Sequence, residues 1–281
     1  MAFGYANVGG HGNAIGRELA NRLLKRAAEI VKLGMATHLL LFLTFAHPLR
    51  KTTRVYPSSY LLQYNRRKMS FCCSVEAHFG RERAERDLRD YRRGRTPRVT
   101  KLLTTELLRQ PLAGKHLLDI GAGIAAVTME LGSSEAASAT IVEASPAFLE
   151  IAQREIKARY GSRPVQFFRG DYARIAETVP AADVTILDRV VCCYPDAEAL
   201  LSAAAVHTRE ILAFSYPRDR WDVWLVLGYE NFMRRWKKNE FQTFVHSPGK
   251  MAEVVERAGF VRVASRGTFV WKVEIYKRGK D

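Results

Sequence analysis

Short apolar runs alternate with longer amphipathic stretches from residue 115 onward, and the two patterns predict different elements. The runs KHLLDI, ATIVEA, PVQFFRGD, DVTILDRVV and EILAFSY predict buried strands. The stretches IAAVTMEL, PAFLEIAQREIKARY, DAEALLSAAAVHT and GKMAEVVERAG predict helices. This alternation predicts an α/β fold, a parallel sheet with helices on both faces. The runs FVRVASRG and FVWKVEIYK lack a helix between them, so we expect a hairpin at one edge of the sheet.

The first 68 residues differ from the rest in charge and hydropathy. They hold 11 Lys and Arg against 2 Asp and Glu, a net charge of +9. Most of the net charge of +15 of the 281-residue chain therefore lies in this segment. Their apolar run, MATHLLLFLTFAHPL, is shorter than the ~20 residues that span a membrane. Three readings remain: a membrane-surface anchor, a loosely packed extension, or an artefact of the start codon with the protein beginning at Met69. We favour the last, because the stretch that opens at Met69 has the same composition as the part of the chain that follows it.

These changes divide the chain into three parts. Residues 1–68 form the extension, and residues 69–110 form a charged helical cap in which Gly94 and Pro97 separate two helices. Residues 111–281 form the ligand-binding domain, with an aromatic and basic insert at 218–246.

A glycine pair stands where the first predicted strand meets a helix, in LLDIGAGIAAVTMEL (117–131). Glycines at the carboxyl end of a strand let the backbone turn tightly and approach a ligand closely. The next strand ends in Glu143, whose carboxylate suits two ribose hydroxyls. The third ends in Asp171 and Tyr172, which suit an adenine amino group and ring. Together with Asp119 these residues predict an adenosine ligand at the strand ends.

Asp119 decides between two adenosine cofactors. A dinucleotide requires a pyrophosphate on the helix N-terminus, usually with a third glycine where this chain has Ala126. Asp119 would repel a pyrophosphate, whereas it suits S-adenosylmethionine, which carries a sulfonium and an ammonium group. We therefore expect S-adenosylmethionine as the cofactor.

The pieces LLDIGAGIA, IVEAS, RGDY and LDRVVCCYPD resemble, in order and spacing, those of the class I S-adenosylmethionine-dependent methyltransferases. The resemblance covers residues 99–277. It implies a doubly wound, Rossmann-like sheet of seven strands, mostly parallel with an antiparallel last strand. The implied cofactor-binding residues are Asp119, Gly121, Ala122, Gly123, Glu143, Ala144, Gly170, Asp171, Tyr172, Asp188, Arg189 and Val190.

VVCCYPD and the order of elements in the tail resemble the magnesium-protoporphyrin O-methyltransferases and related proteins within that superfamily. That family carries His before Tyr-Pro, where this chain has Cys193, so we do not transfer the porphyrin substrate. We expect O-methylation of a small, partly apolar molecule with an acidic group. Tyr194 and His246 are the candidate catalytic residues.

The insert 218–246 combines seven aromatic residues with Arg234, Arg235, Lys237 and Lys238. Two interpretations stand side by side: a lid over an apolar pocket, or a helix packed on the sheet with a solvated basic face. Tyr91, in YRRGR, is a further candidate for contact with the cofactor.

The adjacent pairs Cys72-Cys73 and Cys192-Cys193 lack the usual metal-binding spacing, so we expect no metal and a reducing, cytoplasmic setting. We regard a nucleic-acid partner as unfavoured and weak membrane contact through residues 1–68 as open. The alternatives are an RNA or protein methyltransferase and a non-catalytic adenosine-binding module. A nicotinamide dehydrogenase comes third.

Overall fold

The computed structural model describes residues 78–279 of the chain. Its strands are β1 (His116–Ile120), β2 (Ser138–Glu143), β3 (Val165–Arg169), β4 (Ala182–Leu187), β5 (Thr208–Pro217), β6 (Phe260–Gly267) and β7 (Trp271–Arg278). Its helices are α1 (Arg81–Arg92), α2 (Arg98–Leu108), α3 (Ala126–Leu131), α4 (Pro146–Arg159), α5 (Tyr172–Ile175), α6 (Ala197–Val206), α7 (Trp221–Trp236) and α8 (Pro248–Arg257). The predicted extension at residues 1–68 and the pair Cys72-Cys73 lie outside the described residues.

The strands form one seven-stranded sheet in the order β3-β2-β1-β4-β5-β7-β6. Strands β1 to β5 pair in parallel, while β7 runs antiparallel to both β5 and β6. The predicted seven-stranded fold with an antiparallel last strand and a closing hairpin at the edge is therefore confirmed.

Two apolar cores cover the two faces of this sheet. Alternation along β1 is the reason: Leu117 belongs to the core beneath α1 to α4, and Leu118 to the core beneath α5, α6 and α8. Such two-sided burial is what makes parallel strands read as continuous apolar runs in a sequence. The sheet order reverses between β1 and β4, so a crevice opens at their carboxyl ends.

The insert contains one long helix, α7, followed by a segment without regular secondary structure to residue 247. Val223 and Leu227 of α7 form a small third core with Val245 and Val270, next to the β6–β7 turn. The helix thus packs through one face only.

Candidate functional site

The loop after β1 is held in a conformation that favours glycine. Gly121 and Gly123 have φ of 61° and 59°, a region that L side chains rarely adopt. The Gly121 N–H donates to Val142 O at 2.7 Å, which ties the loop to the end of β2. A Cβ on Gly121 would lie 2.6 Å from a methyl group of Val190, so only glycine fits between β1 and the loop after β4.

Glu143 connects the glycine loop to the start of α4. Its two carboxylate oxygens accept 2.8 Å hydrogen bonds from the N–H groups of Gly123 and Ser145. Burial raises the pKa of Glu143, while the backbone donors, Ala144 among them, counteract that shift. Three donors leave at least one of the four lone pairs unused, so the carboxylate is oriented by the backbone and can still accept a hydroxyl group of a ligand.

Asp119 is a deeply buried carboxyl group beneath the loop. It accepts a 2.7 Å hydrogen bond from the Thr128 hydroxyl and is 1% exposed. Burial, and to a smaller extent the nearby carboxylates of Asp188 and Glu143, raises its pKa to about 7 against the opposing effect of Thr128. The carboxyl ends of β2, β1 and β4 therefore gather three acidic groups in a medium that penalises negative charge.

Asp188 is held by two hydroxyl groups at the end of β4. Thr100 donates to it at 2.5 Å and Ser215 at 2.7 Å. The same Ser215 oxygen accepts the N–H of Arg189, whose φ of 58° is unusual for a residue with a side chain. Strand β4 therefore ends at Leu187, earlier than the predicted run DVTILDRVV, and Asp188, Arg189 and Val190 form the loop.

Asp171 and Tyr172, at the end of β3, occupy different environments. Asp171 caps α5 by accepting the Ala173 N–H at 3.2 Å, and it also accepts the Tyr194 hydroxyl at 3.4 Å. The Tyr172 ring lies in the core, 4% exposed, and is nearly perpendicular to the His207 ring, with centroids 6.3 Å apart. A ligand at this strand end would meet the Asp171 carboxylate and the backbone around Gly170, whereas the Tyr172 ring faces away.

His246 is fixed against the loop that carries Tyr194. Its Nε2 lies 2.9 Å from the Tyr194 carbonyl oxygen, and burial lowers its pKa. A carbonyl can only accept, so Nε2 carries the proton and the neutral ring keeps its lone pair on Nδ1. The Phe244 N–H donates to Cys192 O at 2.7 Å. Two hydrogen bonds therefore hold residues 244–246 against residues 192–194.

Residues just before α1 complete the site, and the sequence analysis missed them. The Ser145 hydroxyl donates to Phe79 O at 2.7 Å, which brings the start of α1 to the start of α4. The His78 ring stacks on Phe241 with centroids 4.2 Å apart, and Phe79 meets Phe241 edge-on. The aromatic pair His78-Phe79 immediately before Gly80 and a charged helix was the available signal.

Three arginines lie near Cys193: Arg189 within the loop after β4, and Arg83 and Arg234 from other elements. Burial and the charges of Arg83 and Arg234 lower the pKa of His78 to about 4. The hydrogen bond from Cys192, and then the charges of Arg189, Arg83 and Arg234, lower the pKa of Cys193. Among the described residues, the Nε of Arg83 is buried without a hydrogen-bond partner. A guanidinium donor is thus available beside a thiol and a neutral imidazole.

Several predicted contacts are not brought to this site. The ring of Tyr91 lies under the guanidinium of Arg159, 5.4 Å from its centre, at the C-terminal end of α4. The site lies at the other end of that 14-residue helix, about 20 Å away. The α7 aromatics Trp221, Trp224, Phe232 and Trp236 are exposed, whereas Phe241, later in the insert, stacks on His78 and contacts Phe79.

Solved structures of methyltransferases share this fold. Magnesium protoporphyrin IX methyltransferase from Synechocystis PCC 6803 with bound SAH has a TM-score of 0.51 and 18% identity, covering 64% of this chain and 82% of its own. With bound SAM it has a TM-score of 0.50 and 17% identity, covering 81% of this chain and 100% of its own. An O-methyltransferase family protein from Burkholderia thailandensis has a TM-score of 0.54 and 20% identity, covering 78% and 70%. At these identities the likeness shows the fold.

No family model matches the chain, and no curated protein matches it. Within residues 78–279, no group of three or more His, Cys, Asp or Glu could hold a metal ion. The helices in that range include none that is long and apolar enough to cross a membrane.

Proposed function

We propose that the chain is a methyltransferase that uses S-adenosylmethionine and methylates an oxygen of a small acidic molecule. The observation that carries this proposal is the group of buried carboxylates Asp119, Glu143 and Asp188 around a glycine loop. The raised pKa of Asp119 means that negative charge in this crevice is unfavourable without a positive partner. A cationic ligand is therefore favoured and a pyrophosphate is disfavoured. The folds that bind SAM and SAH in the solved methyltransferases support the same cofactor.

The chain's own residues fit the parts of this cofactor. Glu143, oriented by two backbone amides, would accept the ribose hydroxyl groups, and Asp171 would accept the adenine amino group. Gly121, Ala122 and Gly123 would let the methionine portion approach the backbone, with Asp119 and Asp188 neutralising its positive charge. When bound, S-adenosylmethionine supplies an electrophilic methyl group on sulfur.

The acceptor would lie between the loop after β4 and the segment around Phe241. The unpartnered Nε of Arg83, together with Arg189 and Arg234, supports an acceptor with a carboxylate or similar anion. His78, Phe79 and Phe241 form an aromatic wall that supports an apolar or flat body for the same molecule.

His246 is the residue best placed to receive a proton from an acceptor hydroxyl. Its Nε2 is committed to the Tyr194 carbonyl, and its lowered pKa keeps Nδ1 unprotonated at neutral pH. Tyr194 would act as a positioning residue, because its hydroxyl bonds Asp171 and its carbonyl orients His246. An acceptor that is already ionised needs no base, and alignment of its oxygen with the methyl carbon then suffices. Cys192 and Cys193 form no disulfide bond, with Sγ atoms 3.6 Å apart, which supports a reducing, cytoplasmic setting.

The test has two stages. First, S-adenosylmethionine carrying a labelled methyl group is titrated onto the full chain by equilibrium dialysis, with NADH as the control ligand. Second, the loaded protein is incubated with aromatic carboxylic acids and, as matched controls, with their amides. Binding of the first ligand and transfer of the label to the acids supports the proposal. Binding without transfer to any acceptor favours a non-catalytic adenosine-binding module, and absence of binding contradicts the proposal altogether.

A further inference from the structure

Helix α7 has two apolar faces, and one of them is exposed. Val223, Val226 and Leu227 are buried, and Val223 and Leu227 belong to the small core beside the β6–β7 turn. Trp221, Leu225, Phe232 and Trp236 are 67%, 44%, 64% and 73% exposed. One apolar face is enough to anchor a helix to a protein surface, so the second face is not needed for that packing.

The exposed residues form a continuous stripe. Trp221, Leu225, Phe232 and Trp236 are spaced by four, seven and four residues, which places them on one side of a 3.6-residue helix. Trp224, 43% exposed, borders the stripe, and Gly228 lies between Leu225 and Phe232 with open space around its Cα. A 16-residue helix is about 24 Å long, so the stripe is a ridge of that length.

The charges around the stripe are unevenly distributed. Arg235, Lys237 and Lys238 are exposed at the C-terminal end of α7, next to Trp236. Two acidic residues of the helix are engaged by neighbouring arginines: Asp222 pairs with Arg220 at 2.7 Å, and Glu230 pairs with Arg234 at 2.7 Å. The exposed Asp219, near the N-terminal end, accepts the indole N–H of Trp224 at 2.8 Å. Within residues 235–240 these three exposed basic residues outnumber one exposed acidic residue, Glu240, so the apolar ridge ends in net positive charge.

We infer that this face of α7 docks on an anionic lipid surface. Helices that lie in a membrane interface combine a ridge of Trp, Phe and Leu with Lys and Arg nearby. Indole rings settle at the headgroup level, and long basic side chains extend toward lipid phosphates. The positive end of α7 is complementary to that charge. This inference is independent of the cofactor and the acceptor, because none of the exposed apolar residues of α7 is among the residues proposed to contact either of them.

The full chain is sedimented with vesicles of phosphatidylcholine alone and of phosphatidylcholine mixed with phosphatidylglycerol. We expect binding to the anionic vesicles and about tenfold weaker partitioning for the double variant Phe232→Ser/Trp236→Ser. The matched control is Val206→Ser/Val261→Ser, which removes side chains that are 72% and 60% exposed elsewhere on the molecule. The control should bind as the native chain does. Lys237→Glu/Lys238→Glu should weaken binding at low salt and lose its effect at high salt.

Thermal unfolding followed by circular dichroism establishes that each variant is folded, which the exposure of the replaced side chains leads us to expect. Equal vesicle binding by the native chain and the Phe232→Ser/Trp236→Ser variant would overturn the inference and assign any membrane binding to another part of the chain. A dimer that dissociates in this variant while vesicle binding is unchanged would also overturn it, because a second copy would then cover the face.

Discussion

Replacing Gly121 by alanine tests the geometry of the glycine loop most sharply. The new Cβ would lie 2.6 Å and 3.1 Å from the two methyl groups of Val190 and 3.5 Å from its Cβ. The first of these distances is too short for two carbon atoms, so the loop after β4 would have to move. The φ of 61° adds a second penalty, because an L residue is strained there.

The two penalties can be separated in magnitude. A left-handed conformation costs an alanine about 1–2 kcal/mol, and an overpacked contact costs about 1–3 kcal/mol more. We therefore expect Gly121→Ala to lower the free energy of unfolding by about 2–5 kcal/mol. Gly161→Ala is the matched control, because its φ is 64° and a Cβ there meets nothing within 4 Å. That variant should lose only the backbone contribution, about 1–2 kcal/mol.

Urea unfolding of the full chain measures both values, and a double-mutant cycle with Val190→Ala measures the steric contact alone. Truncating Val190 should restore part of the stability that Gly121→Ala loses. The affinity for S-adenosylhomocysteine should fall and recover in parallel, since the loop moves in one variant and returns in the other. Equal losses for Gly121→Ala and Gly161→Ala, with no coupling to Val190, would refute the reasoning.

Three further predictions concern charge and hydrogen bonding. Glu143→Gln should weaken the binding of S-adenosylhomocysteine by about tenfold to a hundredfold in calorimetric titration, because a charged acceptor is lost. Asp119 has a pKa raised from 3.8 to about 7, so the native state holds a proton that the unfolded state releases, and stability should fall as the pH rises through that window. Asp119→Asn should flatten this dependence in urea unfolding. His246→Gln should lower kcat for a hydroxyl acceptor and leave cofactor affinity unchanged, and the native acid limb should lie below pH 6.5 because burial lowers the histidine pKa.

Each of these predictions has a contrasting outcome. Glu155→Gln removes a buried carboxylate that pairs with Arg92 and Arg154 away from the site, and equal affinity losses for both variants would exclude a specific role for Glu143. Stability that rises from pH 4 to 7 in both the native chain and the Asp119→Asn variant would contradict the raised pKa of Asp119. A His246→Gln variant with a weaker cofactor affinity and an unchanged kcat would indicate a structural role.

The strands and their order could be predicted because parallel strands buried on both faces leave continuous apolar runs. The end of β4 could not be predicted from the same pattern. Val190 and Val191 continue the apolar run, but the hydroxyl groups of Thr100 and Ser215 hold Asp188 and Arg189 in a loop. Those contacts join residues that lie 88 and 27 positions from Asp188, so no local pattern records them.

The strand-end carboxylates could also be predicted, because each follows an apolar run directly. Arg83 and the His78–Phe241 stack were missed, since tertiary packing brings residues 78–83 and 241 together. The position of Tyr91 depends on which end of α4 the C-terminal end of α1 contacts. The periodicity of apolar residues does not give the relative direction of two packed helices. The two apolar faces of α7 also could not be distinguished from the sequence. The periodicity predicts both faces, and only the packing of the helix decides which of them is buried.

The proposed function depends on the binding of a cationic adenosine ligand in the carboxylate-lined crevice. Calorimetric titration of the full chain with S-adenosylmethionine and with NADH, in two buffers of different ionisation enthalpy at pH 6, measures this binding. We expect micromolar binding of S-adenosylmethionine with release of a proton, since a cation lowers the raised pKa of Asp119. We expect no binding of NADH. Binding of NADH in preference to S-adenosylmethionine, or cofactor binding that takes up protons, would contradict a crevice built for a cationic ligand.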